Sequence, residues 1–258
     1  MAKTQIGGLP KKRFIFRTVL WGAELLFVLG TFIYSMIEKQ WDNWSVCLAS
    51  LFLVSLPFLM SKIFRFEMHD AFFVFAELYA LGPILGFAYK FYYQIAWWDD
   101  LLHFSGGVAF AVFGAYFAKF LNKKQPLTIL MRAIFALCFS VMISVAWEVV
   151  EFSFDSWFGT DMQKDTVVSF INSYLLGVTP DQIGSIEKVS SLFINGVEIP
   201  LGGYLDIGLI DTMTDLIVEG LGALIVSAVL IIDRDKHTIM QPVSGEKQRQ
   251  DKKDDESV

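Results

Sequence analysis

The sequence predicts an all-α integral membrane protein: a bundle of about six transmembrane helices, both termini cytoplasmic, with one long outer loop. Three observations predict it. Of 258 residues, 54% are hydrophobic and 19% charged, against about 25% charged in an ordinary soluble domain. The apolar residues lie in long runs rather than in alternating or 3.6-residue patterns, and six runs approach the ~20 residues that cross a bilayer. Lys and Arg are distributed unevenly over the connections between those runs.

The elements follow in order. A basic stretch, Lys11-Lys12-Arg13, precedes an apolar run too long for a signal-peptide core and without a small-residue cleavage site. It reads as a retained first span. The predicted spans are 15–37, 43–61, 70–92, 100–121, 127–150 and 211–232. The domains are then a cytoplasmic segment 1–14, spans one to five over 15–150, an extracytoplasmic loop 151–210, span six over 211–232 and a disordered tail 233–258. With the N-terminus inside, only Lys39, Lys90, Lys164 and Lys188 fall outside, and every other Lys and Arg of the 21 falls inside. This is the positive-inside pattern. In the loop, Asn195-Gly196 between two β-prone runs predicts a two-residue hairpin, and 166–178 predicts an interfacial amphipathic helix. Cys47 and Cys138 lack metal-type spacing and read as buried apolar residues.

This topology gathers acids at the outer interface. Asp99, Asp100 and His103 open span four, Glu148 and Glu151 end span five, and Asp211, Asp215 and Glu219 run down span six at intervals of four. Asp155, Asp161 and Asp165 follow span five in the loop. Glu219 lies about 12 Å of helix rise beyond Asp211. Asp99 and Asp211 also suit helix N-caps, and Trp97, Trp98, Trp147 and Trp157 suit an interfacial aromatic belt. Caps do not explain His103, Glu148, Asp215 and Glu219, which lie inside helices, where ionisable groups are functional candidates. Glu24 and Glu77 lie in the cytoplasmic halves of spans one and three, where two readings stay open: a hydrogen bond to each other or pairing with Arg132.

The chemistry is bounded by residue supply. Only His69, His103 and His237 exist, and two of them fall on the inner side, so a multi-histidine zinc site is excluded from the outer face. One histidine among carboxylates suits Mg²⁺, Mn²⁺ or Ca²⁺, or metal-free proton transfer. The metal candidates are Asp99, His103, Glu148, Asp211, Asp215 and Glu219; the catalytic candidates are His103, Asp100, Glu148, Glu151 and Asp215. There is no phosphate-binding Gly-rich loop, GxSxG elbow or HExxH helix, and no basic patch for nucleic acid.

DDLLHFSGG at 99–107, WEVVEFSFDSWFGTDMQ at 147–163 and GLIDTMTDLIVEGLGAL at 208–224 resemble the YjdF-like bacterial membrane-spanning proteins. The resemblance covers spans three to six and implies a multi-pass protein of the bacterial inner membrane, without implying a reaction. Between the GTDMQ segment and the last span about 40 residues intervene, including the 166–205 insertion, where members of that family usually carry a shorter stretch. A more distant similarity is to VanZ-like envelope proteins, with Asp100, His103, Phe104, Glu151, Asp211, Asp215 and Gly222 in matching places and Glu219 where those proteins carry Asn. Three functions stay open: an outward-facing His/carboxylate site for binding or hydrolysing an envelope or lipid-linked substrate, a small proton- or cation-coupled transporter, and a non-catalytic scaffold or sensor. The partners expected are the lipid bilayer and such a substrate, with no nucleic acid.

Overall fold

The computed structural model describes residues 5–6, 9–64, 69–122 and 127–232. Six segments are long and apolar enough to cross a membrane: Lys11–Ile37, Asn43–Met60, Asp70–Phe87, Trp98–Leu121, Ile129–Phe158 and Leu209–Ile232. The tail from 233 and the basic positions 65, 123 and 124 lie outside the described residues.

Two short paired strands, β1 (Gln5–Ile6) and β2 (Leu9–Pro10), precede α1 (Lys11–Ile37). The second and third segments are each interrupted, which the sequence reading did not expect. Helix α2 (Asp42–Leu53) gives way to α3 (Leu56–Phe64), and α4 (Asp70–Ala80) to α5 (Gly82–Phe87). Pro57 and Pro83 explain both breaks: each lacks the N–H owed to the carbonyl four residues back, and its ring crowds that carbonyl. At the first break the Ser55 hydroxyl donates to the Leu51 carbonyl at 2.9 Å, so an exposed backbone group is satisfied locally. A short α6 (Phe91–Gln94) leads to α7 (Trp98–Leu121). Helix α8 (Ile129–Phe158) extends past the expected end at 150. It stops at Gly159, whose φ of 64° takes the left-handed conformation that ends a helix. The last helix is α9 (Leu209–Ile232).

The chain divides into two compact units, Met1–Val141 with Glu219–Val258, and Met142–Val218. Two apolar clusters form the core of the first. One joins Ala111, Ala115, Ala133, Ala136, Ala223 and Val226; the other joins Val28, Cys47, Val54, Ala80 and Ile84. Small side chains dominate the former, so helices approach closely there. Large apolar side chains such as Leu26 (71% exposed) stay uncovered on the spans, and a bilayer is the solvent that suits them. Cys47 is buried as expected, whereas Cys138 is exposed on a helix face. Across the helices, Arg17 and Arg13 of α1 bind Asp70 of α4 at 2.7 Å, and Arg17 is buried.

In the second unit, residues 159–208 form a loop of short strand pairs. The hairpin of β6 (Leu192–Ile194) and β7 (Val197–Ile199) turns at Asn195 and Gly196, φ 52° and 81°, the two positive values a type I′ turn needs. The amphipathic helix expected over 166–178 is absent. That stretch holds β3 (Val167–Val168), paired with β8 (Tyr204–Leu205), and β4 (Ile171–Ser173), paired with β5 (Gly184–Ile186). Its β-branched start favours extended backbone. Asp206 fastens the base of the loop, accepting the Thr166 and Ile210 N–H groups at 2.7 Å each. The slight burial of Asp206 opposes its ionisation, but these N–H bonds outweigh it and hold the carboxyl below the ordinary range.

Two outcomes follow. Asp70→Ala takes the carboxylate from buried Arg17 and lowers stability by about 3 kcal/mol, measured by thermal unfolding in detergent. For Asp206, a depressed folded value means its contribution is full above the unfolded value and is lost as pH falls through the folded one. The protection factors of the Thr166 and Ile210 amides against hydrogen exchange therefore fall in strong acid in the wild type, and at neutral pH in Asp206→Ala.

Candidate functional site

In the first unit the site is built on α7 and α9. Gly107 of α7 lies against the backbone of α9, where any Cβ would overlap the Glu219 carbonyl. Gly222 of α9 lies against the Phe104 carbonyl in the same way. This approach brings Glu219 beside His103, one turn before Gly107. His103 Nδ1 stands 3.6 Å from Glu219 Oε2, and Nε2 stands 3.8 Å from Asp99 Oδ1. These are ion-pair distances, longer than hydrogen bonds. His103 and Glu219 are buried, at 8% and 4% exposure. One carboxylate off each ring nitrogen suits a histidine that takes a proton on one side and gives it up on the other.

Asp99, not Asp100, is thus the carboxylate facing His103; Asp100 is exposed. The cap role expected for Asp99 is not seen either. Helix α7 begins at Trp98, its N-cap is Trp97 without a side-chain capping bond, and both acids fall in the first turn, where they suit the helix dipole. Sequence reasoning missed Tyr79 of α4. Its hydroxyl and a Glu219 carboxyl oxygen fill the space above Gly106, where a Cβ would come within 2.9 Å and 3.5 Å of them, and Tyr79 lies within electrostatic reach of Glu219. The paired glycines Gly106-Gly107 were the available signal.

In the second unit, Glu148, Glu151 and Asp215 are all buried, at 5%, 8% and 2% exposure. Each offers an oxygen within 4.8 Å of the others, so a single ion can meet all three. Oxygens on opposite sides of a Ca²⁺ ion stand about 4.8 Å apart, and closer around Mg²⁺, so the spacing fits with little adjustment. Trp147 is more than a belt residue: its Nε1–H donates to Glu151 Oε1 at 2.9 Å and fixes that carboxylate. Asp211 is engaged differently, accepting the Lys164 backbone N–H at 3.0 Å from the first turn of α9. Asp155 organises the GTDMQ segment, accepting the Thr160 hydroxyl and the Met162 and Gln163 N–H groups within 2.7–2.8 Å.

Residues 20–236 match the family described as "Predicted membrane protein (DUF2238)". The chain belongs to this family. No curated protein and no solved structure matches it. The family membership agrees with the six apolar helices and assigns no activity.

The glycine contact makes a paired prediction. Gly107→Ala forces α7 from α9 and destabilises by about 2 kcal/mol or more, as overpacking does. Gly220→Ala, at a position where a Cβ meets nothing within 4 Å, leaves the melting temperature unchanged or raises it.

Proposed function

We propose that the chain is a YjdF-like envelope protein of a bacterial plasma membrane, with both termini cytoplasmic, that binds or hydrolyses an envelope or lipid-linked substrate with the help of a divalent cation. The observation that carries this reading is the Glu148–Glu151–Asp215 cluster. Three carboxylates brought together out of water repel one another. A cation of charge +2 offsets that repulsion, and an all-oxygen ligand set selects Mg²⁺, Mn²⁺ or Ca²⁺ over softer metals. Bound there, the ion would polarise a substrate oxygen or acidify a bound water. In the first unit, His103 between Asp99 and Glu219 is the proton-transfer group. Asp100, being exposed, contributes charge at the interface, and Asp211 supports the Lys164 backbone.

The metal claim is tested by thermal unfolding of chelator-treated protein with each ion added. A ligand at one hundred times its Kd stabilises by about 2.7 kcal/mol. That rise is expected with at least one of the three ions in the wild type, and is absent in Asp215→Asn and Glu148→Gln. No rise with any of the three sinks the reading. His103→Gln should preserve the ion-dependent rise while abolishing the phenotype that the intact chain complements.

One observation favours a second reading, a small proton- or cation-coupled transporter: the interruptions at Pro57 and Pro83, since broken spans are a recurring feature of transporter sites. Gradient-dependent cation or proton flux in proteoliposomes, lost in Glu219→Gln, supports it; flux equal to that of empty vesicles removes it.

A further inference from the structure

Glu24 and Glu77 belong to neither cluster above. Glu24 is the middle residue of α1, about 20 Å of helix rise from either end. Glu77 is 5 residues before Gly82 in the segment Asp70–Phe87. Their meeting follows from the register of the two helices. Arg17 binds Asp70 across α1 and α4, and seven residues, or two helical turns, further along each helix come Glu24 and Glu77. The two carboxyls interact directly. Both are buried, at 5% and 0% exposure, and none of their four oxygens forms a well-made hydrogen bond among the described residues.

No cation acts on this pair among the described residues; the groups that act on each carboxyl are its burial and the other carboxyl. Arg17 is bound to Asp70, and Phe73, under the Arg17 guanidinium at 4.7 Å, lies one turn along α4 between that ion pair and Glu77. Of the elements packed against α1 and α4, α2 carries Cys47, α5 carries no titratable side chain, and α7 carries Asp99, Asp100 and His103 in its first turns, Tyr116, which feels Arg17, and exposed Lys119; the side chains of Asp42 on α2 and Lys62 on α3 lie outside the described residues. Two adjacent negative charges at mid-span, without a counter-ion, are not sustainable. The occupant must therefore be a cation. Two carboxyls offer four of the six or more oxygens that a metal ion needs at about 2.0–2.6 Å, so waters would have to complete its shell, and the cavity of about 910 Å³ among the described residues is lined by other side chains. A proton needs no space.

We propose that Glu24 and Glu77 form a mid-membrane proton-binding site, a carboxylic acid and a carboxylate holding one proton between α1 and α4. The site rests on neither functional reading above. It gives the chain a place to take up and release a single proton, independent of His103.

The test uses the purified full-length protein in lipid nanodiscs. An apolar carbodiimide adds the O–H of a protonated carboxylic acid across one C=N bond, oxygen to carbon and hydrogen to nitrogen, and the adduct is read by peptide mass spectrometry. The expected result is labelling at Glu24 or Glu77, no more than one adduct per chain, declining as pH is raised from about 6 to about 10. His103→Gln leaves it unchanged, and Glu24→Gln/Glu77→Gln removes it. Infrared difference spectra of the wild type should carry the matching carboxylic C=O band, so the proposal is decided even if the double variant fails to fold. Two adducts on one chain, the absence of both adduct and band, or thermal stabilisation by Na⁺, K⁺ or Ca²⁺ that the double variant loses overturns it.

Discussion

The contact on which the first unit depends is the backbone-to-backbone approach of α7 and α9. Lipid tails are as apolar as leucine, so the hydrophobic effect does not drive helices together inside a bilayer, and close packing must do so. Gly107 and Gly222 let each helix reach the other's backbone carbonyls. Ala111, Ala115 and Ala223 continue the same close contact into the apolar core. The approach also sets the chemistry, because Glu219 carries the carbonyl that touches Gly107 while its carboxyl lies beside His103 and Tyr79. Packing and site are one feature.

Polar contacts supply the rest of the cohesion. Ser140 donates to the Gly107 carbonyl and Ser227 to the Ala133 carbonyl, each at 3.1 Å between different helices. Thr31 and Tyr89 share a 3.0 Å bond. Each is a modest contribution, about 0.6 kcal/mol on average for such bonds in membranes. The Arg17–Asp70 pair is different in kind. A buried guanidinium tolerates few positions, so it fixes the register of α1 against α4. That register then determines which residues meet two turns along, and they are two glutamates.

Much of this was legible in the sequence, and the exceptions share a cause. Apolar run length identified all six spans, and Asn195-Gly196 identified its hairpin, because both signals are local. The helix expected over 166–178 failed because those strands pair with residues near 185 and 205, partners that no window around 166 contains. The breaks at Pro57 and Pro83 were not read from the sequence, because a proline inside a span is often tolerated and does not by itself announce an interruption. The choice between Asp99 and Asp100 was never accessible: both lie within one turn of His103, and only side-chain direction separates them. Tyr79 was hidden because its partner, Glu219, lies far along the chain.

The acids sort themselves by what they touch rather than by where they fall in the sequence. Asp155, Asp206 and Asp211 accept backbone N–H groups of the loop, so each substitutes for secondary structure that the loop lacks. The ionised carboxyl accepts several N–H groups at once, and asparagine, with one acceptor oxygen, could replace only part of that function. Glu148, Glu151 and Asp215 instead face one another, as do Glu24 and Glu77, and there the charge itself is the property that must be met. The first group explains why the chain can hold an ordered loop of irregular backbone. The second has no structural necessity, since apolar residues of similar volume would pack as well and cost less to bury. On the two proposals made for these clusters, the chain keeps such groups inside its helices for the cations they would hold.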